Sequence, residues 1–221
     1  MLAAEGYIRE SGNAWESGGT AHKIESLPTP ISRDVTRLVN RLAKKPLNEL
    51  TNYVDRSYPA FTVHRKSESA VPRAAAEPKV YTAGYEGLQV DGFLNLLVQN
   101  GIERLIDVRR NPIARRFGFH KSTLDRLCGL IGISYEHVPE LGIASDQRQS
   151  LETFADYSQL FDRYERTTLV AQQLAVERVA RLMVEKPSVL VCMEADACFC
   201  HRSRLAADVA ERTGLPIVHL E

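Results

Sequence analysis

Cysteine is scarce in this chain, four among 221 residues, and three of the four (Cys192, Cys198 and Cys200) crowd into one stretch near the C-terminus. That usage argues against a disulfide framework, because a chain of this length buries a core without cross-links. Cys128, alone on a helical stretch, reads as a buried apolar side chain. Long apolar runs are missing as well. Nothing approaches the ~18 residues a membrane-spanning helix needs, and no charged-then-apolar leader opens the chain. It therefore reads as a cytoplasmic protein with no membrane partner. Net charge is absent too, with 28 Lys and Arg against 28 Asp and Glu. A balanced chain exerts no global pull on nucleic acid, so an anionic partner has to be met by a local patch.

What is present changes texture near residue 66. Residues 66–78 hold Ser, Ala and Pro but almost no large apolar side chains, and read as a linker. Ahead of it, residues 1–65 form an appendage with a mild excess of Lys and Arg. Residues 2–8 read as the end of a helix entering a strand, which points to a start upstream of Met1. Residues 13–24, with Gly18-Gly19, suit a hairpin or wing. Val35, Leu38, Val39 and Leu42 share one face of a helix over 33–44, and a second short helix begins at Pro46. The pattern suits either a small helical cap or the back half of a winged helix.

From residue 79 to 221 strands and helices alternate. Strands are expected over 80–82, 104–108, 133–138, 189–193 and 217–220. Helices are expected over 90–100, 122–131, 153–185 and 202–213. The alternation predicts a three-layer α/β domain, a mostly parallel sheet of about five strands with helices on both faces. The unbroken apolar run Val189-Leu190-Val191-Cys192-Met193 marks a central strand buried on both sides.

In such a sheet, ligands bind outside the carboxyl ends of the strands. The chemically capable residues lie there. Thr82, Gly84 and Tyr85 follow the first strand, Asp107, Arg109 and Arg110 the second, and His137 and Glu140 the third. Glu194 and the run Cys198-Phe199-Cys200-His201-Arg202-Ser203-Arg204 follow the fourth. Asp107 and Arg109 point to the same side of an extended segment, so a plain ion pair and a catalytic role are both open. Thr82-x-Gly84 can also be only a tight turn needing positive φ, and it lacks the spacing of a dinucleotide fingerprint.

The cysteine-rich turn supports three chemistries. Cys198 or Cys200 is a nucleophile, its thiolate favoured by a helix N-terminus and by Arg202 or Arg204. The Cys-x5-Arg spacing from Cys198 to Arg204 fits cysteine phosphatases, without their glycines. Alternatively Cys198, Cys200 and His201, with Cys192, hold zinc. Their spacing is poor for paired-cysteine knuckles, so no metal ligand is assigned and the cofactor is left unknown. In the third reading Cys200 packs on the sheet, His201 and Arg202 cap loops or pair with Glu194 and Asp107, and Cys198 is incidental. Residues 104–126 add seven Lys and Arg against two Asp, which suits an anionic small molecule or nucleic acid. Phe117 and Phe119 among them suit base stacking, or a solvated loop with its aromatics tucked inward.

With those residues in view, the stretch over about 79–221 resembles domain-of-unknown-function family 488. The matching segments are Tyr81-Thr82-Ala83-Gly84-Tyr85-Glu86-Gly87, Gly101-Ile102-Glu103-Arg104-Leu105-Ile106-Asp107-Val108-Arg109, and Asn111-Pro112 with Arg115. Gly132-Ile133-Ser134-Tyr135, Pro139-Glu140-Leu141-Gly142, Cys192-x-Glu194, Cys200-His201-Arg202 and Val218-His219 follow in the family's order. Ile143 stands where many members carry a second glycine, and Ala83 where a larger aliphatic is common. The resemblance implies a three-layer α/β domain whose Asp-Val-Arg and Cys-His-Arg motifs face one cleft, and it assigns no reaction.

The reading is an enzyme, a hydrolase or transferase, acting on an anionic, phosphate-bearing or nucleic-acid-related substrate at that cleft. Asp107 and Glu194 serve as the acid/base pair, and Cys200 or His201 as the nucleophile or proton-transfer group. Arg109, Arg115 and Arg202 bind the anion, with Thr82, Gly84 and Tyr85 lining the site. The alternatives are a nucleic-acid-binding regulatory module with a ligand-sensing α/β domain, and a thiol-redox sensor using Cys198 and Cys200.

Overall fold

The computed structural model describes residues 8–11, 14–17, 29–42, 45–63, 74–114, 116–148 and 151–221. The chain divides into two units, Met1–Tyr53 and Val54–Glu221. In the first, β1 (Ile8–Ser11) pairs antiparallel with β2 (Ala14–Ser17), Ser11 opposite Ala14. The expected hairpin or wing over 13–24 is described only in part, through Ala14–Ser17 as the second strand of this pair. Residues 2–7, 18–24 and 66–73, on which the expected leading helix, the rest of the wing and most of the linker fall, lie outside the described residues. Helix α1 covers Thr29–Leu42, starting four residues ahead of the expected position. Helix α2 covers Leu47–Ser57 and runs on into the second unit.

The second unit is built on a five-stranded sheet in the order β5-β4-β6-β3-β7, every neighbouring pair parallel. The strands are β3 (Val80–Gly84), β4 (Arg104–Asp107), β5 (Ser134–His137), β6 (Ser188–Cys192) and β7 (Ile217–Leu220). Every residue of β3, β4 and β6 is buried, because helices cover the sheet from both sides. A short turn, α3 (Pro59–Thr62), precedes the sheet and is tied to the helix over Val90–Gln99 by the bond from Ala60 N to Asn95 Oδ1.

Two cores follow from the alternation of side chains along each strand. Tyr81, Ala83, Leu105, Val189 and Val191 face α4 (Val90–Gln99) and α5 (Lys121–Leu130). Val80, Ile106, Leu190 and Cys192 face α6 (Phe154–Tyr164), α7 (Gln173–Glu185) and α8 (Arg202–Thr213). Each fully buried leucine or phenylalanine here stabilises by roughly 1.5–3 kcal/mol over an exposed one.

Local chemistry sets the helix ends. Thr153 and Asp156 form a reciprocal capping box at the start of α6. Gly214 stops α8 in the left-handed conformation, φ 71°, with its N–H bonded to Ala210 O. The helical stretch expected over 153–185 is broken between α6 and α7 by a π-turn, Glu165–Leu169. There the Thr167 hydroxyl donates to Arg163 O and competes with the regular helical ladder.

Candidate functional site

The chain leaving β6 turns to the α8 face, whereas the chains leaving β3 and β4, its two neighbours, lead into α4 and α5 on the other face. Such a reversal parts the loops at the carboxyl edge of a parallel sheet and is where ligands bind. The loop at that point is Met193-Glu194-Ala195-Asp196. It lies so close to β3 that a Cβ on Gly84 would meet Glu194 O at 1.8 Å. Gly84 is therefore required for close approach; its φ is not among the positive ones. Tyr85 and Glu86 both donate their N–H groups to Met193 O, at 3.1 and 2.8 Å.

Asp107 and Arg109 form a buried bidentate ion pair. Arg109 donates from Nε to Asp107 Oδ1 (2.8 Å) and from Nη2 to Oδ2 (2.5 Å). Its Nη1 donates to Tyr85 OH (3.0 Å) and to Phe119 O (2.9 Å). Tyr135 OH completes the carboxylate at 2.5 Å. Burial works against the charge on Arg109, but the hydrogen bonds and charge of Asp107 outweigh it and hold the guanidinium above its ordinary pKa. Tyr85 stacks on Phe119 with ring centroids 4.1 Å apart, and burial raises its phenol. The pair is thus internally satisfied on the α4–α5 face. Asp107 has no exposed surface with which to meet a substrate, and each guanidinium nitrogen of Arg109 already donates within the fold.

The cysteines gather on the opposite face. Cys192, from the end of β6, and Cys200-His201, at the entrance to α8, bring their ligand atoms within 4.8 Å of one another, all three buried. Cys192 Sγ lies 3.9 Å from His201 Nδ1 and 3.2 Å from Glu194 Oε2. His201 Nε2 faces Val108 O at 3.4 Å, and Tyr164 packs edge-on against the imidazole. Glu194 reaches outward to Arg148, 3.4 Å away, and its side chain keeps 19% of its surface open.

The electrostatics of this group belong to the whole cluster. A hydrogen bond from Cys200 and the neighbouring His201 hold Cys192 well below the ordinary thiol range, against the effect of burial. Burial and Cys192 drive Cys200 the other way. Glu194 is raised by burial and by the charge of Cys192.

The sequence-expected site is therefore partly assembled. Glu194, Cys200 and His201 come together, joined by Cys192. Asp107 and Arg109 do not join them: the strand alternation sends their side chains through the other face, and His201 Nε2 meets the other motif at Val108 O. Arg202 is buried and tied down, with Nη1 donating to Glu194 O (2.5 Å), Nη2 to Ala195 O (2.7 Å) and Nε to Thr82 Oγ1 (3.4 Å). It positions the loop, and it pairs with neither the Glu194 carboxylate nor Asp107. Thr82 also bonds His219 Nδ1 at 2.7 Å. Arg115 lies outside the described residues. Phe119 is core, while Phe117 is 80% exposed. Cys198 is exposed and outside the cluster, its thiol raised by Asp196. Sequence reasoning overlooked Arg148, which sits in a polar loop with no motif, and undervalued Cys192, whose place within a buried strand counted against a ligand role.

The fold and the edge cluster define an α/β protein with a parallel sheet and a polar centre at its carboxyl edge. The chain belongs to the family described as Domain of unknown function DUF488, whose model matches residues 89–209. The match begins after the Thr82–Gly87 turn and takes in Asp107, Arg109, Cys192, Glu194 and Cys200-His201-Arg202. No curated protein and no solved structure matches the chain. Among the described residues, no helix is long and apolar enough to cross a membrane.

Proposed function

We propose that the chain is an enzyme acting on an anionic substrate, phosphate-bearing or nucleic-acid-related, with its chemistry at the end of β6. The observation that carries this reading is the position of Glu194. Of the four candidate catalytic groups only Glu194 keeps access to solvent, and it does so where the loops part at the sheet edge. Glu194 is the general acid/base, and Cys192 and His201 behind it set its charge environment. Arg148, beside Glu194, and the exposed Arg110 supply the positive charge. They replace Arg109 and Arg202, both buried, whose guanidinium nitrogens each already donate within the fold. Asp107 passes from acid/base to support of the loop after β4.

The test is turnover of a generic phosphomonoester, a phosphodiester and a single-stranded oligonucleotide. Glu194→Gln is expected to lower kcat by about 10²-fold or more, the ordinary contribution of a positioned acid/base. Arg148→Ala raises KM. Absence of turnover on all three substrates, or full activity in Glu194→Gln, refutes the reading.

A further inference from the structure

We propose that Cys192, Cys200 and His201 form a zinc site, with the fourth coordination position directed toward Glu194. The ligand set differs from the one the local sequence suggests. Cys198 and Cys200, one residue apart, look like the paired cysteines, but Cys198 is at the surface. The partner of Cys200 comes from the end of β6, which explains why no familiar knuckle spacing is visible.

The metric fit is close. Zinc holds sulfur at about 2.3 Å and imidazole nitrogen at about 2.0 Å, so two such ligands at the tetrahedral angle lie about 3.6 Å apart. Cys192 Sγ and His201 Nδ1 are 3.9 Å apart, and all three ligand atoms fall within 4.8 Å of one another. The Cys192–His201 pair needs a contraction of a few tenths of an ångström and the widest pair up to about 1.2 Å, a side-chain adjustment, to close the site. His201 also has the outer partner that zinc-bound imidazoles use. Donation from Nε2 to Val108 O selects the tautomer that leaves the Nδ1 lone pair facing Cys192 and Cys200.

Charge supplies an independent reason. Two thiols, an imidazole and a carboxylate are packed together at a sheet edge, three of them with almost no exposure. A dication neutralises the two thiolates, and so removes the cost of burying charge there. Soft sulfur with imidazole in a four-coordinate space suits zinc over magnesium or calcium. Three protein ligands leave one position, and the partly exposed Glu194 carboxylate, 3.2 Å from Cys192 Sγ, marks the side on which it lies. Arg202 and Gly84 hold the Glu194 backbone at that distance. The site stands on this geometry alone, whether or not the proposed reaction is the right one.

The experiment is metal analysis of the full chain purified without chelator, followed by cobalt(II) titration of the stripped protein. About one zinc per chain is expected, and cobalt should give a thiolate-to-metal charge-transfer band. Cys192→Ser, Cys200→Ser and His201→Gln should each weaken zinc binding by more than the roughly 100-fold that loss of an outer partner costs. Cys198→Ser and Glu194→Gln should retain the metal. Cys128→Ser, equally buried, should also retain it, which separates ligand loss from disturbed packing. Substoichiometric zinc in the wild type with no cobalt–thiolate band overturns the proposal. So does a Cys192–Cys200 disulfide in the purified protein, or zinc lost with Cys198.

Discussion

Replacing Gly84 with alanine tests how the sheet edge is built. The new Cβ would lie 1.8 Å from Glu194 O, 2.5 Å from Glu194 C and 2.8 Å from Ala195 Cα, all backbone atoms with no rotamer to adopt. To restore an ordinary contact of 3.4 Å, the loop must retreat about 1.6 Å, the difference between 3.4 and 1.8. Overpacking of this kind costs about 1–3 kcal/mol. The same retreat stretches the bonds from Tyr85 N and Glu86 N to Met193 O, and those from Arg202 to Glu194 O and Ala195 O. A buried donor left unpaired costs about 1–3 kcal/mol more. The total expected loss is about 2–6 kcal/mol, and at about 2–4 °C per kcal/mol the melting temperature falls by on the order of 10 °C. Urea and thermal denaturation measure it. Gly92→Ala in α4 and Gly129→Ala in α5 are the controls, since their added Cβ atoms meet nothing within 4 Å. Each control should stabilise by about 0.5–1 kcal/mol. A loss below about 1 kcal/mol in Gly84→Ala would refute the close-approach reasoning, because the two terms just counted cannot both be that small.

Three further outcomes are expected. Asp107→Asn, which leaves Arg109 buried and uncompensated, should destabilise by about 3–5 kcal/mol, and Asp107→Leu with Arg109→Met should recover part of it; an Asp107→Asn variant of full stability would contradict the structural role. Iodoacetamide should label Cys198 alone in the native state, because Cys128, Cys192 and Cys200 are buried and burial pushes the Cys128 thiol up to about 12. Asp196→Asn should speed that labelling at pH 8, since removing the carboxylate lowers the Cys198 pKa and raises its thiolate fraction; peptide mass spectrometry reads both results. The start of α6 should loosen in acid: hydrogen bonds from Thr153 hold Asp156 below its ordinary value of 3.8. The stabilisation is complete above that value and lost as pH falls through the lower folded-state pKa. Hydrogen exchange at the N-terminus of α6 should show this, and Asp156→Asn should lack the dependence.

The sheet was legible in the sequence because its determinants are local. The apolar run Val189–Met193 marked a strand buried on both sides, which the structure places at Ser188–Cys192, and the glycine after α8 announced its stop. Side-chain direction was less legible. Asp107 and Arg109 sit at the correct edge, but period-two alternation places them on the α4–α5 side and Cys192 on the other, and no motif states which face a neighbouring strand uses. Arg148 was invisible for a different reason: its partner Glu194 is distant in sequence, and a lone arginine in a polar loop carries no pattern.

The strand order has a consequence for how the protein is made. β3 is the first strand of the sheet to be synthesised, yet both its neighbours, β6 and β7, come from the far end of the chain: Val80 aligns with Ser188 on one side and Ile217 on the other. Only β4 and β5 can pair while later segments are still in the ribosome. The sheet's earliest strand must therefore wait, with its hydrogen-bonding edges unfilled, until β6 and then β7 emerge. Vectorial synthesis gives β3 no early partner, and during that interval it is the segment on which a chaperone or a misplaced neighbouring chain would act.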